Sequence, residues 1–105
     1  MAKWDYNLST RGSYLRELIQ LDDSSKENCE KILNQIIVCC QYLKTNLLDE
    51  DRDWYEDDLE DMIEDCEDTK WCLDEFDEDT NEENINDVLE DFYDLMDTMR
   101  VWIPV

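Results

Sequence analysis

The sequence predicts an all-α protein, either a four-helix bundle or a pair of helical hairpins with short extended segments at its ends. Apolar residues recur every three to four positions over most of the 105 residues, which is the spacing of one face of a helix. The chain also holds only one Gly and one Pro, too few for the turns of a sheet protein. At this length we expect a single domain with a modest core.

The first two helices are predicted from apolar spacing and a capping signal. The first runs from about residue 9 or 13 to Leu21. Its inward positions are Leu15, Leu18 and Ile19. Ser24 and Glu27 have the spacing of a capping box, so the second helix begins there and runs to about Leu48. Its inward stripe is the clearest in the sequence and consists of Cys29, Leu33, Ile36, Cys40, Leu43 and Leu47.

The third and fourth helices follow from the same arguments. The third is predicted over residues 53–76, and the fourth runs from a second capping box, Thr80 with Glu83, to about Met99. The inward positions of the third are Tyr55, Leu59, Met62, Cys66, Thr69, Leu73 and Phe76. Those of the fourth are Ile85, Val88, Leu89, Phe92, Met96 and Met99. Short connections between the helices favour antiparallel neighbours.

The two ends of the chain carry short alternating patterns in place of helical ones. The alternating apolar residues are Trp4, Tyr6 and Leu8 near the start and Val101, Ile103 and Val105 in the tail, residues 98–105. Alternation of this kind is typical of extended strands. We therefore expect two short extended segments that pair with each other or cap the bundle.

Charge divides the chain into a neutral half and an acidic half. Residues 1–48 hold six acids and six bases, whereas residues 49–97 hold 25 acids and only two bases, Arg52 and Lys70. The net charge of the whole chain is −22, and like charge of this size opposes compaction. Because the acidic half keeps the apolar spacing of helices, which a disordered tail lacks, we expect a folded domain with an organised anionic face.

The density of acids along the third and fourth predicted helices is close to that of nucleic acid. Residues 51–79 carry 16 acids over ~43 Å if they form one helix, and residues 82–97 add seven more. Together this is about one charge per 1.9 Å, against about one per 1.7 Å in double-stranded DNA. The pattern predicts a surface on which carboxylates take the place of phosphates and face Lys and Arg side chains of a basic nucleic-acid-binding protein.

The predicted partner-binding residues form two rows and an anchor. The first row consists of Asp57, Asp58, Glu60, Asp61, Glu64, Asp65, Glu67, Asp68, Asp74 and Glu75. The second row consists of Glu90, Asp91, Asp94 and Asp97. Trp71 is predicted to project among the acids, where an exposed tryptophan can act as an interface hot spot. The alternative is that Trp71 packs beneath the first helix or the C-terminal tail.

The residue inventory argues against catalysis, a cofactor and a metal site. Histidine is absent, which removes the commonest general base and the commonest transition-metal ligand. Gly12 alone cannot form a Gly-rich phosphate loop. Residues 49–60 place acids at the ligand positions of a calcium-binding EF-hand, but Trp54 stands where that loop needs Gly. We therefore expect a protein that is not an enzyme and holds no specific metal.

The cysteines and the apolar runs indicate a cytoplasmic location. No apolar run approaches the roughly 20 residues that span a bilayer, and no signal peptide is recognisable. The five cysteines, an odd number, lie in predicted helices and are expected to be reduced thiols that serve as small apolar residues. They are Cys29, Cys39, Cys40, Cys66 and Cys72. Membranes and nucleic acid, both anionic, should repel the chain.

In overall character the chain resembles the small acidic inhibitors that phages direct against host defence. These include DNA mimics that act on restriction enzymes and anti-CRISPR proteins that act on guide-RNA effectors. The resemblance covers residues 49–97 and consists of charge density on a helical frame. It implies a non-enzymatic inhibitor in the host cytoplasm that blocks the DNA- or RNA-binding groove of a CRISPR effector or a restriction enzyme.

Two other functions agree with the same sequence. One is an acidic adaptor or chaperone that buffers basic proteins, for which the positions of the acids would matter little. The other is binding through the neutral half and the tail, with Trp4, Tyr42 and residues 101–105 as the contact surface. Apolar residues left at the edges of a bundle would also allow a homodimer.

Overall fold

A computed structural model describes residues 8–21 and 25–103, and these residues form an all-α structure, as predicted. Four helices follow one another along the chain: α1 spans Ser9–Gln20, α2 spans Lys26–Asn46, α3 spans Asp49–Cys72 and α4 spans Glu78–Met99. No strand occurs within the described ranges.

Helix α2 is the centre of the structure. It packs against each of the other three helices, and α3 also packs against α4, whereas α1 contacts α2 alone among the described helices. Consecutive helices are antiparallel, so the chain forms two helical hairpins, α1–α2 and α3–α4, with overall dimensions of 43 × 23 × 18 Å. The architecture therefore combines both predicted forms, because the two hairpins pack together through α2.

Each hairpin is closed by a buried asparagine near the start of its second helix. In the first hairpin, Asn28 Nδ2 donates a hydrogen bond to the carbonyl of Leu18 at 3.2 Å. In the second, Asn81 Nδ2 donates to the carbonyl of Leu73 at 3.0 Å. The last carbonyls of a helix have no partner within that helix. Each of these two amides therefore satisfies a carbonyl near the C-terminal end of the preceding helix.

The core confirms most of the predicted inward positions. All the predicted inward residues of α2 and α4 are buried, and so are Leu59, Met62, Cys66 and Leu73 from the third predicted helix. Phe76 is an exception, with 46% of its side chain exposed. The prediction was wrong there because α3 ends at Cys72 and Phe76 lies in the connection that follows.

The observed start of α3 lies four residues before the predicted one. Leu48 has an extended backbone, and the helix begins at Asp49. Three acids, Asp49, Glu50 and Asp51, occupy its first turn, where the partial positive charge of the helix N-terminus favours carboxylates. The sequence prediction assigned this acidic run to a loop and so missed the first turn.

A serine cap on α2 and an aspartate cap on α4 replace the two predicted capping boxes. Ser25 is the N-cap of α2, and its side chain accepts a hydrogen bond from the backbone N–H of Asn28 at 3.3 Å; Ser24 lies outside the described residues. Asp77 is the N-cap of α4 and accepts from the backbone N–H of Thr80 at 2.8 Å. That bond holds the pKa of Asp77 below its ordinary value. The predicted cap at Thr80 was therefore three residues too late.

The two ends of the described chain meet at one side of the bundle. Arg100 ends α4 with a left-handed backbone conformation, and the following Val101 is buried. Leu8 is also buried, and its backbone N–H donates to the carbonyl of Trp102 at 3.0 Å. Among the described residues, the predicted pairing of the termini is represented by this backbone hydrogen bond. Ile103 is partly buried against the core, and the rest of both patterns, Trp4, Tyr6 and Val105, lies outside the described residues.

Candidate functional site

Every side chain in the predicted partner-binding set is exposed to solvent. We define the acidic surface as the exposed acids that follow the first turn of α3 and have no ion pair within the described residues, together with the acids of α4. In α3 these are Asp53, Asp57, Asp58, Asp61, Glu64, Asp65, Glu67 and Asp68. In α4 they are Glu78, Asp79, Glu82, Glu83, Asp87, Glu90, Asp91, Asp94 and Asp97.

The periodicity of α3 determines where its acids lie. Leu59, Met62 and Cys66 are buried against the other helices, so positions between them point away from the core. Acids fill these outward positions on the solvent side and on both flanks of the helix. The same residues that build the core therefore hold the carboxylates at regular intervals, because a helix advances 1.5 Å per residue.

Helix α4 is more uniformly acidic than the sequence prediction recognised. Its nine acids are all exposed, and it contains no Lys or Arg. The predicted second row named only four acids in its second half. It missed the exposed acids Glu78, Asp79, Glu82, Glu83 and Asp87, although Asp79, Glu83 and Asp87 continue the spacing of three to four residues that links Glu90, Asp94 and Asp97.

The hairpin brings the two predicted rows side by side over only part of their length. Because α3 and α4 are antiparallel neighbours, residues 90–97 lie beside the first half of α3. Asp74 and Glu75 follow the end of α3 and lie in the connection at the opposite end of the hairpin. The first row was predicted as part of one helical segment of ~43 Å, whereas α3 has 24 residues and spans ~36 Å.

Basic residues line the contact between α2 and α3, which we call the α2–α3 seam. Lys44 Nζ lies 2.7 Å from Glu60 Oε1, and Lys26 Nζ pairs with Asp74. The hydrogen bond to Asp74 raises the pKa of Lys26 above its ordinary value. Within α3, Arg52 Nη1 lies 3.2 Å from Glu56 Oε2.

Acids at the α2–α3 seam have lysine partners and those of the acidic surface do not, a difference that the sequence could not show. Glu60 and Asp74, both in the predicted first row, have lysine partners from α2. Within the described residues, no ion pair reaches the acids of the acidic surface. The negative charge is therefore partly neutralised toward α2 and is not neutralised on the outer side of α3 or on α4.

The geometry does not support an EF-hand. Residues 49–60 lie in one continuous helix, which cannot wrap its carboxylates around an ion as a twelve-residue EF-hand loop does. In the described parts of the chain, no group of three or more acidic or cysteine side chains is arranged to hold a metal ion.

The cysteines of the core are held as neutral thiols. Cys39, Cys40 and Cys66 are fully buried. Burial raises the pKa of Cys39 to about 11 and that of Cys66 to about 12, and it raises the pKa of Cys40 strongly as well. The thiolate is the nucleophilic form of cysteine, so these three side chains serve as packing residues.

The contact surface of the neutral half is only partly open. Arg11 lies over the ring of Tyr42, with its Cζ atom 4.1 Å from the ring centroid. Val101 is buried in the core. Trp102 is exposed, while Trp4 lies outside the described residues. Two residues of the predicted alternative surface, Tyr42 and Val101, therefore already contact other parts of the protein.

The fold and the surface together define an all-α protein of two helical hairpins with a large acidic surface on the second hairpin. Comparisons of the chain with known protein families, with curated proteins and with solved structures found no match. None of the described helices is both long and apolar enough to cross a membrane.

Proposed function

We propose that this protein is a non-enzymatic inhibitor that mimics nucleic acid and blocks the DNA- or RNA-binding groove of a host-defence nuclease complex, either a CRISPR effector or a restriction enzyme. The observation that carries the proposal is the acidic surface itself. It consists of exposed carboxylates on two packed helices. The lysines that pair with Glu60 of α3 and with Asp74 of the following connection belong to α2, on the other side.

The charge density of the hairpin supports mimicry. The acidic surface holds eight acids of α3 and nine of α4. Over the ~36 Å of α3 this is about one acid per 2.1 Å, compared with about one charge per 1.7 Å of double-stranded DNA. The same length is close to one turn of B-DNA, about 34–36 Å. A groove that binds one turn of duplex would therefore meet a similar number of negative charges.

Fixed positions support mimicry over simple solubility. A nucleic-acid groove holds its Lys and Arg side chains in set places, so a competitor gains from carboxylates that are held in register. The core contacts of α3 and α4, and the hydrogen bond from Asn81 to the end of α3, provide that register. Long-range attraction should make association fast and strongly dependent on salt.

The second candidate function is an acidic adaptor or chaperone that buffers basic proteins. It is favoured by the size of the charge, since −22 exceeds the magnitude of about 2–8 that keeps a small domain soluble. This function predicts weak binding to many basic proteins and little dependence on where the acids lie.

Two charge-reversal variants separate the candidates. Asp57→Lys with Glu64→Lys changes the acidic surface, and Glu17→Lys with Glu27→Lys makes the same change in net charge on α1 and α2. All four side chains are exposed, so both variants should keep the helical circular-dichroism spectrum of the wild type. Each tagged protein is then used to capture partners from bacterial lysate at low and moderate salt, and the retained proteins are identified by mass spectrometry.

Mimicry predicts one dominant nucleic-acid-binding enzyme that is lost with the first variant and retained by the second. A broad set of basic proteins that washes away with salt, and that both variants lose to the same degree, would contradict mimicry and support the buffering function.

A further inference from the structure

A groove of about 540 Å³ lies on the surface between α2 and α3. Ile37 from α2 forms an apolar part of its lining, and Trp71 from α3 lines it as well. Glu30 from α2 and Glu67 from α3 contribute one carboxylate from each helix. The groove therefore combines an apolar wall, an aromatic ring and two acids, contributed by two helices.

Trp71 is the most exposed large apolar side chain in the described structure, with 82% of its surface in solvent. The alternative prediction, that it packs beneath α1 or the tail, is wrong for this reason. A tryptophan held in water on the rim of a groove leaves its indole available to a ligand, and tryptophan is enriched among the residues that dominate interfaces.

The two lysines in the groove already have partners within the protein. Lys70 Nζ donates to Asn34 Oδ1 at 2.7 Å, and Lys26 pairs with Asp74. Glu30 and Glu67 are exposed, and no ion pair reaches either of them within the described residues. Asn34 is neutral, so Lys70 keeps its charge, and the groove is lined by two lysines and by three carboxylates, those of Glu30, Glu67 and Asp74. Its net charge of −1 still favours a cation.

We propose that this groove binds an arginine side chain of the partner protein, a proposal that rests on the proposed function because it requires a basic partner. The guanidinium group would stack on the indole of Trp71 and donate hydrogen bonds to Glu67 and Glu30, while its methylene groups lie against Ile37. Arginine fits this combination better than lysine, because its planar group stacks on aromatic rings and binds carboxylates through two parallel hydrogen bonds.

The test is a titration of the full chain with Nα-acetyl-arginine methylamide, followed through the indole N–H signals in the NMR spectrum. The signal of Trp71, assigned with Trp71→Phe, should shift and approach saturation. Trp54 is the internal control, since it is also exposed on α3 (76%) but lines a smaller groove of about 260 Å³. The lysine analogue at equal concentration should shift Trp71 less.

A matched pair of variants tests the carboxylate contact. Glu67→Gln should weaken arginine binding at least about threefold, as expected for an exposed charge-assisted contact. Glu17→Gln removes the same charge from α1, at an exposed residue that neither lines the groove nor belongs to the acidic surface, and should leave the affinity unchanged.

Three results would overturn the proposal: no shift of Trp71, an equal shift of Trp54, or an equal response to the lysine analogue. Because the ligand is a small molecule, these results concern the groove alone. The capture experiment on the acidic surface is independent of them, so failure of one proposal can be told from failure of the other.

Discussion

Lys44 Nζ on α2 lies 2.7 Å from Glu60 Oε1 on α3. This contact and the ion pair between Lys26 and Asp74 distinguish two groups of acids in the acidic half of the chain. Acids on the α2–α3 seam contribute to contacts between helices, while those on the outer side of α3 and on α4 remain open to a partner.

Glu60→Gln and Glu64→Gln remove the same charge from positions one helical turn apart. Because Glu60 has a lysine partner and Glu64 belongs to the acidic surface, Glu64→Gln should weaken partner capture more than Glu60→Gln. Glu60→Gln should lower the free energy of unfolding by up to about 1 kcal/mol, the range of exposed ion pairs. Urea unfolding and quantitative capture check both effects. Equal losses of capture would show that the seam does not limit the binding surface.

The two buried asparagines should each contribute measurably to the free energy of unfolding. Asn28→Ala and Asn81→Ala each remove a buried hydrogen bond to a helix end and should each lower the free energy of unfolding by about 1–2 kcal/mol. Asn86, which is exposed on α4, is the control, since Asn86→Ala should be neutral or slightly stabilising through helix propensity. Chemical denaturation measures all three. Losses no larger than that of Asn86→Ala would contradict a structural role for these amides.

Added salt should stabilise the protein. The open acids of α3 and α4 repel one another, and this repulsion is screened as ionic strength rises, with a Debye length that falls from about 30 Å at 0.01 M to about 10 Å at 0.1 M. The melting temperature should therefore rise between these two salt concentrations. Thermal unfolding followed by circular dichroism measures it, and an unchanged melting temperature would mean that the acids do not repel appreciably in the folded state.

The buried thiols predict a loss of stability in alkali. The ordinary thiol pKa is 9.0, and burial raises it to about 11 for Cys39 and about 12 for Cys66. The contribution of these thiols is therefore fully present below pH 9 and is lost as the pH rises through the folded-state values. Above pH 9 each thiol should lower the free energy of unfolding by up to about 1 kcal/mol per pH unit.

Urea unfolding under reducing conditions at pH 8 and pH 10 measures this decline. Cys66→Ala removes one of the thiols, so it should decline less between the two pH values than the wild type, even if it is less stable at both. An identical decline in the two proteins would show that Cys66 does not titrate on unfolding.

The core residues were predictable because apolar residues recur at regular intervals along the sequence. The inward positions of α2 and α4 repeat over about four to five turns, so the apolar face stays recognisable even when a helix end is misplaced by a few residues. The helix ends were less predictable, because they depend on single side chains. Asp77 competes with Thr80 for the cap of α4, and both residues fit a capping pattern; only the folded backbone decides between them.

The sequence predicted that the acids of the candidate site are exposed. It could not show which of them pair with lysines of α2. Acids opposite an apolar stripe must face water, so the exposure of residues such as Asp57 and Glu64 follows from spacing. The partners of Glu60 and Asp74 come from α2, at 16 and 48 residues' distance along the chain. Such pairs depend on the register between helices, which a single sequence does not specify. The groove at Trp71 depends on the same register.

Competition with nucleic acid tests directly whether the acidic surface occupies a nucleic-acid groove. The protein captured from lysate is bound to the wild-type chain, and duplex DNA or RNA is then added at constant ionic strength, with polyglutamate of equal total charge as the control. Mimicry predicts that nucleic acid releases the partner in a saturable way and that polyglutamate releases much less. A complex that holds the partner, the nucleic acid and this protein together would contradict the claim that the acidic surface occupies a nucleic-acid groove.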